Sequence, residues 1–364
     1  MNYARLGRLR HIDLARGLCM LAVMWGHIML EGLSNYVCYA FTMPAFFFLS
    51  GIVFRREKYP TFGSFLLHRA TTLLLPYVIW SVLTWCWWII DQKLRGQPLV
   101  NIWQPLLQTV LAQGSGGYLV HNVALWFVPC LFVVGVLYWS LSRLPNAAVI
   151  LAGLLSWALG WLLLQPNPIM DFRTLPWSVD VAFCALPYYA AGNLMTRGDA
   201  MERLRAAVTN RRGIAACVWV CCTAVLVLGA SFNGHCTMAQ GIYGTSMLLY
   251  IPTSFFGIAA LLLFSMLLDS LTQSDSMRFD NRCINALGVF GSRSFDVMAI
   301  HIPIMLIAAR FVTRNSGMAF YAARELFRYT LPGFAVMLTL CVALLPVIDA
   351  VRRRLHTLSA KSLA

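Results

Sequence analysis

Apolar runs separated by short polar segments recur along the whole chain. A run of about 18 apolar residues is long enough to cross a bilayer as a helix. On that measure the pattern predicts spans near 12–31, 38–54, 71–90, 123–142, 147–164, 177–195, 213–231, 247–268, 295–313 and 330–351. The expected fold is therefore all-α, a polytopic membrane protein of about ten transmembrane helices read as one membrane-embedded domain over 1–364. The longest connection, 91–122, contains an apolar piece ending in Leu106-Leu107-Gln108-Thr109-Val110-Leu111 that is too short to cross. It is expected to lie at the interface or re-enter as a lid. Within the second span, Phe41 to Gly51 combines Pro44, three consecutive phenylalanines and a Ser50-Gly51 pair. Small residues let helices approach closely, and proline frees a backbone carbonyl.

Composition agrees: 59% of residues are hydrophobic and only 12% charged, outside the range of a soluble domain. The net charge of +14 would suit nucleic acid, but its distribution points elsewhere. With the N-terminus placed inside the cell, Lys93, Arg95, Arg173, Arg310, Arg314, Arg324 and Arg328 fall on the outer side. The other 21 of the 28 Lys and Arg residues fall on the inner side. This is the positive-inside bias, so both termini are expected in the cytoplasm and the partner of the charge is the lipid bilayer, with no nucleic acid. Most of the eleven cysteines lie in apolar runs, where cysteine behaves as a small hydrophobe. No paired-cysteine spacing of the metal-binding kind occurs, and no metal site is expected.

The first span carries the least expected residues. Arg16 and His27 sit in one long apolar stretch, eleven residues apart. That is almost three helical turns, so the two side chains project from nearly the same face, roughly 16 Å apart along the axis. Asp13, three residues before Arg16, shares that face and can orient its guanidinium. Ionisable groups are costly in lipid and face a bundle interior or a wet cavity, so this helix is expected to line a polar site. Further candidates are His68-Arg69 ahead of Leu73-Leu74-Leu75-Pro76-Tyr77, Leu125-Trp126-Phe127, and Gly288 to Asp296 leading to a second intramembrane histidine, His301.

Taken in order, these elements resemble the acyltransferase-3 family, closest in flavour to its fucose 4-O-acetylase-like branch. The matching elements are Arg16 and His27, Met43-Pro44-Ala45 through Ser50-Gly51, Arg69 before Pro76-Tyr77, Leu125-Trp126-Phe127, and Leu287-Gly288 with Ser294 and His301. The resemblance runs from about residue 10 to 310. It implies a multi-pass enzyme of the inner (plasma) membrane that moves acyl groups, usually acetyl, from cytosolic acyl-CoA to hydroxyls of cell-surface glycans. Acetyl-CoA is then a co-substrate, and no bound cofactor is implied. One departure stands out: family members often carry Arg-x-x-Arg before the Pro-Tyr pair, and here the second position is Thr72. His68 or Arg56 can compensate.

The implied mechanism places Arg16, Arg69, Arg56 and His68 on the phosphates of acyl-CoA, since guanidinium forks suit phosphates. His27 is the expected general base on the acceptor hydroxyl, because an unperturbed imidazole titrates near working pH. His301 is expected to orient His27, to stabilise the oxyanion or to serve as the base itself. Ser50 and Ser294 are candidates for a covalent acyl-enzyme. The alternative reading is a transporter or flippase for a glycan or small polar substrate, since intramembrane charges and proline-broken helices also suit a substrate pathway.

Overall fold

The computed structural model describes residues 10–28, 32–94, 96, 98–99, 101–114, 119–165, 175–272, 281–316 and 331–362. Of the outer basic residues expected from the charge count, Arg95, Arg173, Arg324 and Arg328 lie outside these. Each predicted span has a helix. They are α1 (Arg10–Ile28), α2 (Leu33–Ile52), α3 (Phe62–Arg69) continuing through a π-helical turn (Ala70–Leu74) into α4 (Leu75–Leu94), α6 (Phe127–Leu141) and α7 (Asn146–Leu164). After these come α8 (Val179–Leu194), α10 (Arg212–Asn233), α11 (Met247–Leu271), α13 (Ser294–Ser316) and α14 (Leu331–Ser362). Short helices α5 (Gln104–Leu111), α9 (Ala200–Asn210) and α12 (Asn281–Ser292) complete the set. One small hairpin, β1 (Cys236–Thr237) antiparallel to β2 (Ile242–Tyr243), closes the loop between α10 and α11.

Among the described residues, seven helices are long and apolar enough to cross a membrane, or eight if α12 and α13, bent by 85° at Arg293, count as one span. The expected count of ten is not reached on these terms, for local reasons. Helix α1 carries Arg10, Asp13, Arg16 and His27, which dilute its apolar character, and α8 has only 16 residues. The chain is nonetheless a multi-pass α-helical membrane protein.

Helices α2 and α8 sit at the centre, with α2 packed against α1, α8, α10 and α11. Two close crossings fix this arrangement. At one, Gly51 faces the Tyr189 backbone carbonyl and Gly192 faces that of Phe48, with no room for a Cβ on either side. This is the close approach expected for the Ser50-Gly51 pair. At the other, Gly17 of α1 lies against the Leu287 carbonyl and Gly291 of α12 against the Asp13 carbonyl. The second crossing pins the α12–α13 bend to the start of α1, beside Asp13 and Arg16.

The bend itself is held by charge. Arg293 pairs with Asp296 at 3.8 Å and with Asp349, and Arg352 bonds both oxygens of Asp296, the first at 2.9 Å. Asp349, near the end of its span by sequence, is therefore an ion-pair partner in a four-charge cluster. The apolar piece of the 91–122 connection forms α5, which folds back on α4. Tyr77 donates to the Thr109 carbonyl at 2.7 Å, and the Trp85 indole donates to the Ile102 carbonyl while stacking on Trp103.

Because Gly291 meets backbone, Gly291→Ala is expected to destabilise the protein by about 1–3 kcal/mol, the usual cost of overpacking. Gly213→Ala, at an open helical position, is expected to be neutral or slightly stabilising. Thermal unfolding of the two variants in detergent checks this.

Candidate functional site

Arg16 and His27 open onto two adjoining cavities along α1. The first, of about 260 Å³, is lined by Arg16 and Arg69 together with Ser50, Ser294 and Leu73. The second, of about 390 Å³, is lined by His27 with Tyr39, Thr42, Trp126, Thr237 and Gln240. Val23, Met43, Phe127 and Met298 line both. The cavities thus lie back to back across these four side chains, in the direction of the three turns that separate Arg16 from His27. Arg16 and His27 each border a cavity whose walls are otherwise mostly apolar.

Asp13, which does not line the first cavity, is buried and reaches Arg16 at 3.7 Å, as the i, i+3 spacing suggested. Arg69 arrives from the other side. It ends α3 where the helix passes into the π-helical turn, a distortion that occurs frequently at functional sites. Its guanidinium passes over Gly135 of α6, where a Cβ would stand 3.2 Å from Nη2, and donates to the Tyr189 hydroxyl at 2.6 Å. Tyr189 is fully buried in α8 and packs its ring against Tyr138 and Phe54. Ser50 donates its hydroxyl to the Phe46 carbonyl at 2.7 Å.

The other two expected phosphate ligands do not reach this cavity. His68 is exposed and packs against the Tyr59 ring at 5.3 Å. Arg56 lies over the Trp139 ring, 3.1 Å from its centre, donates to the Tyr59 carbonyl, and borders a different cavity. The cause is the break between α2 and α3. The chain turns at Arg56–Lys58 and restarts at Thr61, whose side chain and Ser64 cap α3 reciprocally, so only the far end of α3 points inward.

In the second cavity, the His27 ring lies 5.1 Å from that of His301, tilted by 48°, and 6.2 Å from that of Tyr39. His301 is fully buried. Its Nδ1 faces the carbonyls of Val297 at 3.1 Å and Met298 at 2.8 Å. Both are acceptors, so in the neutral ring the proton sits on Nδ1 and the lone pair on Nε2. No hydrogen-bond partner meets Nε2 among the described residues. Asn122 ties the segment before Trp126 to α13 by donating to the Ala299 carbonyl at 2.7 Å, two residues from His301.

Several contributors carried no signal in the sequence. Tyr189 belongs to no motif, yet it holds Arg69. Thr237 and Gln240 reach the His27 cavity only because the β1–β2 hairpin folds over it, with Gly241 in the left-handed region after Gln240. His235, beside the hairpin, contacts the Tyr39 ring at 5.7 Å and Asn35 Oδ1 at 3.3 Å, and Asn35 in turn donates to the Gly26 carbonyl next to His27. Among the described residues, no group of His, Cys, Asp and Glu could hold a metal ion.

No curated protein and no solved structure matches the chain. A family model described as an acyltransferase domain does, over residues 9–346. That interval takes in both cavities, α1 with Arg16 and His27, the α3 end with Arg69, and α13 with His301. The chain belongs to the acyltransferase-3 family and is a membrane acyltransferase.

Proposed function

We propose that the protein is an O-acyltransferase of the inner membrane that moves an acetyl or other short acyl group from cytosolic acyl-CoA to a hydroxyl of a cell-surface or exported glycan. The observation that carries this reading is the pair of cavities meeting at Val23, Met43, Phe127 and Met298, one with two arginines and the other with a histidine. A donor held by its phosphates at one end and an acceptor entering from the other need only such a meeting point. The resemblance to fucose 4-O-acetylase-like members supports a sugar hydroxyl as acceptor.

Arg16, oriented by Asp13, and Arg69, held by Tyr189, bind phosphates of the donor. The pantetheine arm runs along α1 and brings the thioester to the four shared side chains. His27 takes the proton of the acceptor hydroxyl as that oxygen attacks the thioester carbonyl. The tetrahedral oxyanion then collapses, the carbon–sulfur bond breaks, and the imidazolium returns its proton to the departing thiolate. His301 acts behind His27, its Nε2 lone pair available to the neighbouring ring as positive charge develops there. The direct route asks nothing of Ser50 or Ser294. A transporter would also use a continuous passage, and acyl transfer separates the two.

In membranes with matched expression, His27→Ala is expected to lower transfer of labelled acetyl from acetyl-CoA to surface glycan by about a hundredfold or more, the usual worth of a general base. Full transfer by this variant would remove His27 from the chemistry. Tyr189→Phe keeps the ring but frees Arg69, and is expected to raise KM for acyl-CoA severalfold with kcat nearly unchanged. Steady-state kinetics on the purified protein reads that split.

A further inference from the structure

A third cavity, of about 320 Å³, lies at the Arg16 end of the bundle, where α2, α6 and α8 terminate. Arg55, Arg56 and Arg197 line it, with Ser142, Asn193 and Thr196. All three arginines are half-buried. Each uses part of its guanidinium on backbone carbonyls. Arg55 donates to Ile52 at 2.7 Å and Phe54 at 3.2 Å, Arg56 to Tyr59 at 2.8 Å, and Arg197 to Ser142 and Leu144 at 2.9 Å each. These bonds complement the negative ends of helices and hold the side chains in place.

Arg56 also lies over the Trp139 ring, and Glu57 attracts its charge. Arg10, Arg16, Arg205, Arg293 and Arg352 each reach an aspartate within 4 Å. Arg55, Arg56 and Arg197 form no ion pair among the described residues, although Glu57 stands at the rim of the cavity. Nε of Arg56 is buried with no hydrogen-bond partner among the described residues. Three guanidiniums fixed around one small polar space repel each other unless an anion enters. The N–H donors of Arg55 and Arg56 that these bonds leave over, beside the positive charge of Arg197, suit the oxygens of a phosphate, while the Ser142 and Thr196 hydroxyls donate to the Trp139 and Asn193 carbonyls. This cavity and the Arg16–Arg69 cavity share no lining residue, and Phe54 of its lining packs against Tyr138 and Tyr189. Arg197 donates to the Tyr138 hydroxyl at 3.3 Å and Arg69 to that of Tyr189.

We propose that Arg55, Arg56 and Arg197 form a phosphate-binding site separate from the Arg16–Arg69 cavity. Two sources supply that chemistry at this end of the molecule: the phosphate monoester on the nucleotide of acyl-CoA, and the phosphodiester of an anionic phospholipid. The inference does not depend on acyl transfer, and its test is a binding measurement.

The full protein in phosphatidylcholine nanodiscs would be titrated with CoA and with 3′-dephospho-CoA, and its thermal stability compared between phosphatidylcholine and phosphatidylglycerol nanodiscs. The variants are Arg55→Gln with Arg56→Gln, and Arg56→Gln alone, which loses one backbone hydrogen bond and the contact over Trp139 and serves if the double variant does not fold. A nucleotide source predicts that wild type binds CoA roughly tenfold tighter than the dephospho form, the scale of one charge-assisted hydrogen bond. A lipid source predicts higher melting in phosphatidylglycerol. In either case the difference shrinks in Arg56→Gln and disappears in the double variant. Neither difference in wild type, or differences of wild-type size in the variants, would overturn the proposal.

Discussion

A guanidinium and an imidazole on one apolar helix must be kept away from hydrocarbon, and the architecture around α1 answers that constraint. Helices α2, α11, α12 and α13 pack against α1, and the face bearing Arg16 and His27 turns toward cavities instead of lipid. The close crossing at Gly17 and Gly291 brings the α12–α13 bend against Asp13, which itself holds Arg16. The same bend directs α13 so that His301 lies beside His27, three turns further along. A single polar stripe thus sets where the bent helix goes, and the bent helix sets the second histidine.

The remaining charge at the Arg16 end is organised rather than merely tolerated. Asp269 answers Arg10 and Arg205, and Asp296 and Asp349 answer Arg293 and Arg352. Positive-inside bias explains why so many basic residues collect at one end of a membrane protein. It does not explain which of them meet a carboxylate, and the contrast between paired and carbonyl-bound arginines is the more informative feature. Arg69 belongs to neither group, since its partner is the Tyr189 hydroxyl beside a cavity it shares with Arg16.

Much of this was legible in the sequence wherever information is local. Helical periodicity put Asp13, Arg16 and His27 on one face, and the apolar runs located every helix that corresponds to a predicted span. The small pair Ser50-Gly51 announced a close crossing. What the sequence did not carry is distance across the fold. Arg56 and Arg69 are 13 positions apart and look interchangeable, but the turn at Arg56–Lys58 and the reciprocal cap at Thr61 and Ser64 send them to different cavities. Tyr189 and the β1–β2 hairpin reach the site only through tertiary packing, with no spacing to announce them. The span count diverged where crossing is least ideal: polar α1, short α8 and the bent α12–α13 pair.

The proposed route for an acyl donor runs through the Arg16–Arg69 and His27 cavities. The most direct measurement is an electron cryomicroscopy structure of the protein with a non-transferable thioether analogue of acetyl-CoA. The expected result is a phosphate of the analogue against Arg16 and Arg69, its pantetheine arm between Val23, Met43, Phe127 and Met298, and its sulfur next to His27. An analogue bound with its acyl end anywhere else, or stopping short of those four side chains, would contradict it.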